Sequence, residues 1–137
     1  MWKYYAVLSA VFAALTAILA KIGIKGVSGN VATAVRTIVV LMIAWAIVII
    51  GGQMKEVKEL SKNNILFLTL SGIATGLSWI CYFKALETGD VSKVAPIDKL
   101  SIVIAMVLAF VLLKEAAEPK VIAGGILITI GAIIIIL

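Results

Sequence analysis

Histidine is absent from these 137 residues, and cysteine occurs once, at Cys81. A lone thiol excludes an intramolecular disulfide, and a chain without imidazole is not expected to build a conventional metal cluster. The usual general base for a serine or cysteine nucleophile is missing as well, so no enzymatic activity and no metal or cofactor is expected. Charge is scarce. Charged residues make up 14% of the chain and only seven of them are acidic, against about 25% charged in an ordinary soluble domain.

The room left by charge is filled with hydrocarbon. Hydrophobic residues reach 64%, well above the ~45–50% of soluble domains, and the mean hydropathy is +1.22. A bilayer core takes roughly 20 predominantly apolar residues per helix. Five such runs use up nearly the whole length, at about residues 4–24, 31–50, 65–86, 94–113 and 121–137. The fold class this implies is an all-α integral membrane protein, a bundle of five transmembrane helices forming a single membrane domain over residues 1–137. The opening MWKYYAVLSAVFAALTAILAK is too long and too weakly charged at its start for a signal peptide, and it is read as a retained first span.

The formal charge of +5 does not point to nucleic acid, because the lysines fall in short loops between apolar runs, where they report membrane topology. One face holds Lys3, Lys55, Lys58, Lys62, Lys114 and Lys120; the other holds Lys21, Lys25, Arg36, Lys84, Lys93 and Lys99. Lys/Arg bias sets orientation, and a near tie predicts weak or dual topology.

Charges inside apolar runs are costly and point to function by default. Span 4 carries Asp98 and Lys99 just after Pro96, which the pattern places in the first turn of the helix. Spans 2 and 4 enter from the same face. Arg36 and Asp98 therefore lie at matching depth, roughly 6–8 Å inside at ~1.5 Å per residue. Lys21, Lys84 and Glu87 come near the same level. This polar ring is either a structural Arg36–Asp98 ion pair or a solvated vestibule whose residues face substrate or protons. Asp98, Ser101 and Ala105 share a stripe, while Lys99 falls on another face and snorkels.

In span 3, Thr75, Trp79 and Tyr82 recur at helical spacing and could wall a site for an amphipathic or cationic substrate, or simply pack. Ser9, Ala13, Thr16 and Ala20 make a small-residue face on span 1 that could line a cavity or allow close packing. Trp45 is expected to face lipid. Gly72 and Gly76 form a G-x-x-x-G step; Gly124 and Gly131 share a face of span 5, read as a contact between subunits ahead of a packing groove within one subunit.

The stretch WICYFKALETGDVSKVAPIDKLSIVIAMVLAFVLLKE, with YFKAL at 82–86, VAPI at 94–97 and LLKE at 112–115, resembles the EamA-type domain of the drug/metabolite transporter superfamily. The resemblance implies one repeat, half of an inverted-repeat ten-helix transporter, so two copies are needed. The last span is also similar to the dimerising helix of small multidrug-resistance proteins at Gly124 and Gly131. Span 1 has no embedded glutamate of the kind those proteins use.

The function implied is a secondary transporter in the plasma (inner) membrane of a prokaryote. It would export small metabolites or drug-like compounds by alternating access as an antiparallel homodimer, with Asp98 as the candidate for proton coupling. Candidate substrate-pathway residues are Arg36, Thr75, Trp79, Tyr82, Asp98 and Ser101. The alternatives are a non-transporting scaffold or regulatory subunit, and one half of a heterodimeric transporter. Expected partners are a small-molecule substrate and the lipid bilayer.

Overall fold

Within a bilayer no water is available to the peptide groups, so each span must close its own backbone hydrogen bonds, which a helix does. The computed structural model describes residues 1–137 and is all-α. The helices are α1 (Trp2–Gly23), α2 (Gly29–Ile50), α3 (Met54–Lys58), α4 (Lys62–Thr88), α5 (Val91–Asp98), α6 (Leu100–Leu112) and α7 (Pro119–Ile136). Taking α5 and α6 together as one span, five are long and apolar enough to cross a membrane. The expected five-span architecture is what the chain adopts.

Local chemistry sets the ends. Ser28 and Ser61 accept hydrogen bonds from the amides of Val31 and Asn64, capping the starts of α2 and α4. Pro119 opens α7, where its missing N–H costs nothing. Gly26, at φ +75°, supplies the left-handed turn between α1 and α2. Thr33, Thr37, Thr69, Thr75 and Thr129 each donate their hydroxyl to the carbonyl four residues earlier, which satisfies a polar group without leaving the helix.

Span 4 departs from the expected continuous helix. It breaks at Lys99 into α5 and α6. Because α5 begins at Val91, Pro96 lies inside it and not in its first turn; there a proline removes one ladder bond and crowds the carbonyl four residues back. The Lys99 amide is shared between the carbonyls of Ala95 at 3.3 Å and Pro96 at 3.1 Å, and Ile102 bonds back to Lys99 at 3.0 Å. The ladder tightens locally and then resumes.

The chain forms two compact units, Met1–Thr88 and Gly89–Leu137. In the first, α2 packs chiefly on α4 and α1 also touches α4. Its core is Ala17, Ile24, Thr33, Phe83 and Leu86, gathered where α1 ends, α2 begins and α4 ends. In the second unit α7 packs on α5 and α6. There Gly125 and Ala132 are buried, and a Cβ on Gly125 would lie 3.0 Å from Met106 Cε.

Candidate functional site

The first unit's site is built where three helix ends converge. An α-helix leaves four amides bare at its start and four carbonyls at its end, with partial positive and negative charge respectively. Here two of the three ends receive a side chain from another helix. Glu87 of α4 accepts a hydrogen bond from the Gly29 amide at the start of α2. Lys21 of α1 donates to the Leu86 carbonyl near the end of α4 at 2.6 Å. Gly29 makes this approach feasible: a Cβ there would sit 3.1 Å from both the Lys84 nitrogen and the Phe83 carbonyl carbon, main-chain atoms that cannot swing aside.

This convergence holds α2 against the aromatic face of α4. Arg36, the eighth residue of α2, lies about 10 Å along the helix from its start, deeper than the expected ~6–8 Å because α2 begins at Gly29. Its guanidinium sits over the Trp79 ring at 4.3 Å and over Phe83 at 5.6 Å. The Tyr82 ring meets Phe83 edge-on, with centroids 6.2 Å apart. Within its own unit the guanidinium makes no ion pair or hydrogen bond. A cation over an aromatic face gains about 0.5–2 kcal/mol, against about 2.5–3.5 kcal/mol for an arginine at mid-bilayer. The rings make the position tolerable without neutralising the charge.

Two cavities adjoin these groups. One, of about 530 Å³, opens between α1 and α2; Thr16, Ala20, Val31 and Val35 form its walls, with Arg36 and Phe83 also lining it. The other, of about 450 Å³, lies at the helix ends and carries Lys21, Lys25, Ser28 and Glu87. Val27 lines both. Thr16 and Ala20, half of the small-residue face expected on span 1, therefore line a cavity.

Of the sequence candidates, the structure brings together Arg36, Trp79 and, through Phe83, Tyr82. Thr75 is exposed and its hydroxyl is committed to the Ser71 carbonyl at 2.9 Å. Phe83 was missed, although its place four residues after Trp79 puts both rings on one helix face. In the second unit Asp98 is half-buried and Ser101 exposed. Lys99, expected on a different face, folds back to the Asp98 carboxylate at 3.2 Å, a reach its flexible stem has at the helix break. Trp45 is exposed, as a lipid-facing residue would be.

Comparison with known proteins agrees with this architecture. The model of the EamA-like transporter family matches residues 1–137. An uncharacterized transporter in the cobO 3′ region of a Sinorhizobium species is 43% identical over 134 residues, covering 98% of this chain and 95% of that protein. No solved structure matches.

Proposed function

The chain belongs to the EamA-like transporter family of multi-pass membrane proteins, and on that premise we propose that it works as an antiparallel homodimer. In this reading residues 1–137 form one membrane domain, and two copies in opposite orientations make a secondary transporter. It exports small metabolites or drug-like compounds by alternating access across the plasma membrane of a prokaryote, a setting that suits a relative from Sinorhizobium. The observation that carries the dimer is the state of the glycines. Gly125 is packed within its own unit by Met106, whereas a Cβ on Gly72, Gly76, Gly124 or Gly131 would meet nothing within 4 Å. Small residues in a span assist association only where another helix reaches them.

The division of Lys and Arg between the two faces supports opposed insertion. Asp98, whose ion-pair partner is the exposed Lys99, is the group proposed to exchange protons during transport.

The test is accessibility. Cys81 is exposed, so it is first replaced by serine, and a cysteine is placed at Lys58, the last residue of α3 between spans 2 and 3. An impermeant maleimide then labels this site in intact cells and in inverted vesicles. Opposed insertion gives roughly equal labelling from both sides; labelling from one side alone rules out the antiparallel homodimer.

A further inference from the structure

Resting on the transport reading, we propose that the cavity between α1 and α2 is the seat for an amphipathic organic anion. A carboxylate would pair with Arg36, and an apolar body would lie against Val31, Val35 and Ala32. The volume of about 530 Å³ falls in the ~300–1,000 Å³ range of small-molecule sites. Sequence reasoning left the aromatic face open to a cation. The structure reverses the sign of that expectation, because the faces of Trp79 and Phe83 that would receive a cation already hold the guanidinium.

What the site lacks is an anion. Within its own unit Arg36 has no carboxylate partner, and Glu87 is turned to the Gly29 amide at the start of α2. A guanidinium over two rings still has N–H donors to offer, and its planar fork matches the two oxygens of a carboxylate. The adjoining cavity at the helix ends carries Lys21 and Lys25 against Glu87, and a net positive charge there favours the approach of anions. The inner walls are hydrocarbon apart from Thr16 and Arg36. One charge with an otherwise apolar lining selects a small carboxylate with a hydrophobic body over a polyanion such as a nucleotide. The same chemistry could be supplied by an anionic lipid of the bilayer, and the experiment separates the two.

Of the three tryptophans, Trp2 and Trp45 are replaced by phenylalanine so that Trp79 reports alone. The protein is placed in nanodiscs of phosphatidylcholine and titrated with 4-phenylbutyrate, 4-phenylbutylamine and 4-phenylbutanol, which share a body and differ in charge. Saturable quenching by the carboxylate, with binding about tenfold or more weaker for the amine, is the expected result. Arg36→Gln weakens carboxylate binding by about tenfold to hundredfold; Arg36→Lys retains part of it; Ala32→Leu fills the cavity and abolishes it.

Equal or tighter binding of the amine overturns the proposal, as does carboxylate binding that survives both Arg36→Gln and Ala32→Leu. A final arm adds phosphatidylglycerol to the nanodiscs. If the lipid alone quenches Trp79 through Arg36 and shuts out 4-phenylbutyrate, the occupant is a bilayer lipid and the soluble-anion proposal falls. Binding is read without a gradient, so it can succeed in a chain that does not transport. Conversely, a transporter of cations would fail here and still give two-sided labelling.

Discussion

At the scale of single residues, the first unit depends on groups that satisfy the ends of helices other than their own. Gly29 illustrates the tolerance involved. Replacing it with alanine drives a methyl against the main chain of Phe83 and Lys84 at 3.1 Å, and overpacking of that kind costs about 1–3 kcal/mol. Gly29→Ala should therefore lower the thermal midpoint in detergent, and should shift Trp79 emission as α2 moves away from α4. Glu87 could be placed near this level from the sequence, but its role as a cap could not be read, because its partner is 58 positions away. Asp98 is the residue proposed to couple transport to protons. With pyranine trapped in proteoliposomes, addition of 4-phenylbutyrate should move protons through the native protein. Asp98→Asn should abolish that signal and leave tracer exchange without a gradient intact. Undiminished proton movement in the variant would remove Asp98 from the mechanism.

At the scale of elements, the α5–α6 break is the main departure from hydropathy. A run of apolar residues gives the same profile whether the helix is straight or interrupted, so span 4 was legible as a span and illegible as two helices. Pro96, in the interior of α5 and three residues before the break, leaves the carbonyl of residue 92 without its ladder donor, and a proline inside a helix costs on the order of 3 kcal/mol. Pro96→Ala restores the missing donor. The expected outcome is equal or higher thermal stability with slower turnover, since the break then no longer serves as a hinge. Turnover at the native rate in a straightened span 4, its length followed by spin-label distances between positions 92 and 112, would show that the break is not needed for transport.

For the molecule as a whole, most large apolar side chains are exposed, Ile47, Leu127 and Leu112 among them at 63%, 69% and 70%, as befits helices whose remaining surface meets lipid or another subunit. In the proposed dimer the open groove on α7 belongs to the second copy. Gly131 is exposed and has room for a side chain in its own subunit, so Gly131→Leu should leave the subunit folded while weakening association. Single-molecule photobleaching in bilayers is the measurement, and unchanged dimer content would move the interface elsewhere.

The sequence alone determined the five spans, the presence of charged residues within them, the small-residue faces and the family resemblance. Each follows from local composition and from the fixed rise of a helix in a slab of known thickness. Only the tertiary structure decided which of these groups meet: Arg36 with Trp79 and Phe83, Glu87 with the Gly29 amide, Lys21 with the Leu86 carbonyl. In water the buried face of a helix is marked by its apolar stripe. In a bilayer an apolar side chain is equally at home against lipid or protein, so hydropathy carries no record of which helix faces which. Arg36 was visible from the start as a charge out of place; its aromatic seat and the anion it lacks emerged only from the packing of α2 on α4.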